Sequence, residues 1–133
     1  MLRWQARITI LAGEERCMGE GPYRLLRLAE EKGSLRQAAL CMGMSYSKAH
    51  ALVKRLENAL QNRVLQSQTG GKSGGGTQLT PFGKKLLAEY ARLQGALNAS
   101  AAQAYAEFCH NLRLEESTLA SQPTKTERLG AME

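Results

Sequence analysis

Aspartate is missing from this chain of 133 residues, and all 12 acidic side chains are glutamates. That removes the carboxylate on which many catalytic triads, magnesium sites and nucleotide-binding sites depend. Histidine occurs only as His50 and His110, and no nucleophile, base and orienting group can be assembled around either from spacing, so no enzyme is expected. The three cysteines, Cys17, Cys41 and Cys109, are odd in number, far apart and never in a Cys-x-x-Cys pair. This argues against a disulfide framework and a thiolate metal site. Reduced thiols are expected, with Cys41 in the core, and neither metal nor cofactor. No apolar run approaches the roughly 18 residues of a membrane span, and Met1-Leu2-Arg3-Trp4-Gln5-Ala6-Arg7 lacks the apolar stretch of a secretion signal. The expectation is a cytoplasmic protein with no membrane partner.

What is present is positive charge in one place. The net charge is +6, and residues 46–85 hold Lys48, Lys54, Arg55, Arg63, Lys72, Lys84 and Lys85 against Glu57 alone, while the remainder of the chain balances to zero. A local basic field of this kind favours a polyanion as partner, the bland alternative being a solvated basic face. With 43% hydrophobic residues, the chain has room for one compact core and an extension.

Polar and apolar residues alternate from Leu2 to Ile10, with Leu2, Trp4, Ala6, Ile8 and Ile10 on the apolar side. This predicts a half-buried strand. Gly13 to Gly21 reads as a loop. Pro22 suits a first helical position, and a helix to Lys32 would turn Leu25, Leu26, Leu28 and Ala29 inward before Gly33 ends it. Ser34 caps a short helix, Leu35 to Met42, with the small residues Ala38 and Ala39 for close packing. After Gly43, Ser45 caps a third helix of about fifteen residues, with Ala49, Leu52, Val53, Leu56 and Leu60 on its buried face. The opposite face displays Ser47, Lys48, His50, Lys54 and Arg55. Two helices joined by the turn Gly43-Met44-Ser45, the second basic on its outer side, form a helix-turn-helix pattern, whose second helix suits the major groove of DNA.

Val64 to Ser67 and Thr77 to Leu79 read as two strands around a glycine-rich loop, a hairpin or wing following the third helix. Glycines with Lys72 and Ser73 suit an approach to phosphate. Gly71-Lys72-Ser73 also resembles the end of a Walker A loop, but the first glycine of that motif would fall on Gln66, Gly74 to Gly76 replace the required helix, and no aspartate exists to hold magnesium.

Thr80 and Pro81 open a last helix in which Phe82, Leu86, Leu87, Tyr90, Leu93, Leu97, Ala101, Ala104, Tyr105, Phe108 and Leu112 follow one face. About thirty residues make roughly 45 Å of helix, more than a small domain can bury alone. A second copy of the chain is the expected cover, through Leu86, Tyr90, Leu93, Leu97, Tyr105 and Phe108. The alternative is a break near Gly95 that folds the helix back. The stretch after Glu115 is polar and uneven, as in a flexible tail.

From Gly21 to Leu87 the chain resembles the winged-helix domain of the ModE family of molybdate-responsive repressors, and more distantly LysR-type regulators. Four blocks carry the likeness: Gly-Pro-x-x-Leu-Leu at 21–26, Gly33-Ser34-Leu35-x-x-Ala38-Ala39, Met42 to Ala49, and the glycine-rich wing ending in Leu79-Thr80-Pro81-x-Gly83. The resemblance implies a mainly α fold with a small β wing (α+β), in three parts: a winged helix-turn-helix over 1–80, a long dimerisation helix over 81–114 and a tail over 115–133. It implies a homodimeric, sequence-specific transcriptional regulator that sets two recognition helices on double-stranded DNA at a near-palindromic operator. Ser45, Tyr46, Ser47, Lys48, His50 and Lys54 would face the DNA, with Thr69, Lys72 and Ser73 in the wing. His50 stands where the family commonly has Trp. Family repressors also carry an oxyanion-binding domain that nothing after Leu114 resembles, so no molybdate effector is expected within this chain. The alternative function is a protein-interaction module that keeps the winged fold, partners another regulator and binds no DNA itself.

Overall fold

The computed structural model describes residues 1–68 and 76–114. The element order is β1 (Ile10–Ala12), β2 (Glu15–Met18), α1 (Glu20–Lys32), α2 (Leu35–Cys41), α3 (Tyr46–Leu60), β3 (Leu65–Gln68), β4 (Gly76–Leu79) and α4 (Pro81–Asn111). The fold is mainly helical with two small antiparallel hairpins, a winged helix-turn-helix followed by a long helix. The described residues group into two compact units, one within residues 9–88, the other of Met1–Ile8 with residues 89–114. Among the described residues no helix is long and apolar enough to cross a membrane.

In the larger unit, Tyr23, Leu25, Leu26 and Ala29 of α1, Ala38 and Ala39 of α2, and Ala49, Val53 and Leu56 of α3 form the core. Met18, Val64, Leu79 and Leu87 are also buried in this unit. Leu28, Leu52 and Leu60 are only half-buried, and Tyr23, which apolar spacing alone does not single out, is fully enclosed. Helix α1 begins at Glu20, two residues before the proline expected to open it, with Gly19 as its cap residue. The stretch 13–21 is no open loop: Glu15–Met18 pairs with Ile10–Ala12 around Gly13, whose φ of 65° suits glycine. Strand β2 contributes Cys17 and Met18 to the core.

The hairpin of β3 and β4 pairs Leu65 with Leu79, Gln66 with Gln78, Ser67 with Thr77 and Gln68 with Gly76. Its second strand is fixed to the end of α1, where Gly33 turns the chain at a φ of 68° and its carbonyl accepts the Thr77 N–H at 2.9 Å. A side chain at Gly76 would place its Cβ 2.7 Å from that same oxygen, so only glycine fits. Thr80 ties hairpin to helix: its N–H donates to the Val64 carbonyl at 3.0 Å, its hydroxyl donates to the Arg63 carbonyl at 2.6 Å, and its Oγ1 accepts the Gly83 N–H at 2.9 Å.

In the smaller unit the expected strand Leu2–Ile10 is not a strand; pairing begins only at Ile10. Its alternation is nonetheless real, since Trp4, Ala6 and Ile8 are half-buried between exposed neighbours. Side chains of α4 take the place of a ladder. Gln94 donates through Nε2 to the Ala6 carbonyl at 2.6 Å and accepts the Ile8 N–H at 3.0 Å, and the Tyr90 hydroxyl donates to the Ile8 carbonyl at 2.7 Å. Helix α4 runs unbroken past Gly95 to Asn111, about 46 Å at 1.5 Å per residue. It closes with Arg113 in the left-handed region, where the Leu114 N–H bonds the Cys109 carbonyl and the Arg113 N–H that of His110. Cys41, expected in the core, is exposed, because the inward positions of α2 are filled by Leu35, Ala38 and Ala39; Cys17 and Cys109 are the buried thiols.

Candidate nucleic-acid interface

The turn between α2 and α3 closes in a Schellman motif. The Gly43 N–H bonds the Leu40 carbonyl at 3.1 Å, the Met44 N–H bonds the Ala39 carbonyl at 3.0 Å, and Gly43 sits at a φ of 67°. Ser45 then restarts the chain, its Oγ accepting the Lys48 N–H at 3.1 Å. Ser34 does the same for α2, accepting the Gln37 N–H at 3.1 Å. Two capped helix starts and one left-handed glycine therefore set the orientation of α3.

Its outer face carries Tyr46, Ser47, Lys48, His50, Lys54 and Arg55, all exposed. Ser45 is exposed too, but its oxygen is engaged as the cap. The cations on and around this face are not equivalent. Lys54 lies 3.8 Å and Arg63 3.5 Å from the carboxylate of Glu57, and Arg55 lies 3.7 Å from that of Glu15. Among the described residues no carboxylate pairs with Lys48.

Glu57, the one acid of the basic segment, is turned inward and only 7% exposed. Its carboxylate accepts the Val64 N–H at 2.8 Å and the Leu65 N–H at 3.3 Å, joining α3 to the start of the hairpin. Composition marked it as the exception in a cationic stretch but not as a staple. Arg36 of α2 was also missed: its guanidinium carbon lies 4.4 Å from the centre of the Tyr46 ring, and that ring stands 5.9 Å from His50. Between α3 and the hairpin a shallow cleft of about 120 Å³ is lined by Tyr46, His50, Lys54, Arg63, Gln66 and Ser67, among others. Thr69, Lys72 and Ser73, the wing-tip residues of the sequence reading, lie outside the described residues. Among the described residues no group of three or more His, Cys or Glu side chains is placed to hold a metal ion.

On α4, Leu86, Leu97 and Tyr105 are half-buried, while Leu93 and Phe108 are 39% and 53% exposed. Tyr90 is buried, with its hydroxyl engaged by Ile8. The Tyr105 and Phe108 rings lie 6.1 Å apart and nearly parallel. The apolar pattern gave no sign that Gln94 and Asn98 would be buried, with Gln94 Nε2 donating to Asn98 Oδ1 at 3.2 Å.

Residues 23–84 match the family model of the bacterial regulatory helix-turn-helix proteins of the lysR family. The molybdenum-pterin-binding protein MopB of Rhodobacter capsulatus is 38% identical over 98 residues, 74% of this chain and 35% of that protein. The molybdenum transport protein ModE of Azotobacter vinelandii is 30% identical over 92 residues, 69% of this chain and 34% of the relative. The DNA-binding transcriptional dual regulator ModE of Escherichia coli is 33% identical over 66 residues, 50% of this chain and 25% of the relative. The chain thus spans about a third or less of the length of these curated relatives.

Proposed function

From a chain that carries a ModE-like winged helix-turn-helix domain, we propose a DNA-binding transcriptional regulator that acts as a homodimer on a near-palindromic operator. The observation that carries this reading is the outer face of α3. It is cationic, exposed and held at a defined angle by the Gly43 turn, the Ser45 cap and the Glu57 staple. An α-helix presented this way fits the major groove, with the early turns nearest the base edges. Ser47, Lys48 and His50 are then the reading residues, and Lys54 flanks them. Lys48 stands out because no carboxylate among the described residues competes for it.

Fluorescence anisotropy with duplexes selected from a random pool tests the proposal. Binding is expected to weaken with salt, each neutralised phosphate adding about 0.9 to the negative slope of log affinity against log salt. Lys48→Ala is expected to weaken binding by about 1–3 kcal/mol and to relax sequence preference if Lys48 touches a base edge. Failure of the purified protein to bind any duplex in a salt-dependent way would overturn the reading. Such a failure would favour the protein-interaction module instead, a reading supported by the internal pairing of Lys54, Arg55 and Arg63.

A further inference from the structure

We propose that Arg36, on the helix before the reading helix, is a further contact to the DNA phosphodiester backbone, and that Tyr46 is its positioning platform. This rests on the DNA-binding reading given above. Arg36 is the second residue of α2 and is exposed. Tyr46 is the first residue of α3 and 40% exposed. With Cζ 4.4 Å from the ring centre, the guanidinium lies well inside the range of about 6 Å over which a cation is attracted to an aromatic face. Tyr46 in turn lies 5.9 Å from His50, its ring inclined by 39°. Arg36, Tyr46 and His50 therefore form a ladder across the two helices at the end of α3 where the reading residues begin.

Stacking uses the flat face of a guanidinium and leaves the N–H groups around its edge. Among the described residues no carboxylate pairs with Arg36, in contrast to Lys54, Arg55 and Arg63. A planar fork already held in place gives up little side-chain freedom when it takes two oxygens of one phosphate, the geometry that arginine matches and lysine does not. Phosphodiester is favoured over a base edge because Arg36 belongs to the helix that crosses the backbone, not to the one that enters the groove.

The test uses a duplex selected by the wild-type protein and a set of its single-base variants. Arg36→Ala is expected to reduce the steepness of the log–log salt dependence by about 0.9. This corresponds to roughly eightfold weaker binding at 0.1 M salt, equally for every duplex in the set. Arg36→Lys is expected to keep the slope while losing part of the affinity. In a Tyr46→Leu background the Arg36→Ala effect on affinity is expected to fall to less than half, whereas in a Tyr46→Phe background it is retained. Arg36→Gln serves as a second neutral variant should the alanine chain melt early. If Arg36→Ala and Arg36→Gln bind as the wild type does while Lys48→Ala is impaired, the DNA reading stands and this assignment falls. If none of the three is impaired, this assignment falls together with the role given to Lys48, and if the wild type selects no duplex the DNA-binding reading itself falls. A loss confined to particular base pairs would overturn the phosphate assignment, and an undiminished Arg36→Ala effect in the Tyr46→Leu background would overturn the platform role.

Discussion

A methyl group at position 83 would run into the carbonyl oxygen of Val64, and that oxygen already accepts the Thr80 N–H. Neither backbone can yield without opening the junction of β3 and α4. Gly83→Ala is expected to destabilise the larger unit by about 2–3 kcal/mol, read as a lower midpoint in urea with unchanged slope. A second residue-scale expectation concerns alkaline pH. Burial raises the phenol of Tyr23 above its ordinary value of 10.0, and the Arg27 guanidinium over its ring only partly opposes that rise. The folded chain keeps this proton to higher pH than the unfolded chain does. The corresponding stability is complete below about pH 10 and is lost as pH climbs through the raised value. Urea midpoints measured from about pH 9 to pH 11 should therefore fall less steeply for Tyr23→Phe than for the wild type.

At the scale of elements, the left-handed residue that ends α3 is Gln61, at a φ of 53°, and not a glycine. Its side chain donates to the Asn58 carbonyl at 2.7 Å, a bond on the surface and of small net worth. Gln61→Gly relieves the crowding of Cβ against carbonyl, and a gain of about 0.5–1 kcal/mol is expected in thermal or urea melts. Elements whose ends are built from local chemistry were legible in the sequence. Ser34, Ser45 and Gly43 act through neighbours within five positions, so their roles follow from spacing. Where the partner is distant in the chain, the sequence was silent. The alternation in residues 2–10 reported half-burial correctly but could not say that Gln94 and Tyr90, more than 80 positions away, would supply the hydrogen bonds. The hairpin 10–18 escaped notice because strands of three and four residues, mostly exposed, leave too short a pattern. Arg36 belongs with these cases, since only the packing of α2 on α3 brings its guanidinium over Tyr46.

For the molecule as a whole, the exposed apolar residues of α4 bear on assembly. Leu93 and Phe108 are large and exposed, and the homodimer reading assigns that face to a second copy. Light scattering after size exclusion is expected to give twice the chain mass for the wild type. A Leu93→Glu, Phe108→Glu double variant should give the single mass at the same concentration with its helical circular dichroism kept. A dimer that survives both charges would move the contact elsewhere.

Glu57 bears on how tightly such a molecule could hold its target. Both Lys54 and Arg63 are already facing an anion of the protein's own. A phosphate approaching them must share them with a carboxylate that cannot withdraw, because its Oε2, the oxygen nearest Arg63, also holds the amides of Val64 and Leu65 while Oε1 faces Lys54. The indiscriminate, charge-driven part of adhesion is thereby damped at two positions while Lys48 keeps its full pull. Under the DNA-binding reading, the fold has a built-in restraint on stickiness: the amino acid that anchors the reading element also shortens its stay on irrelevant stretches of duplex.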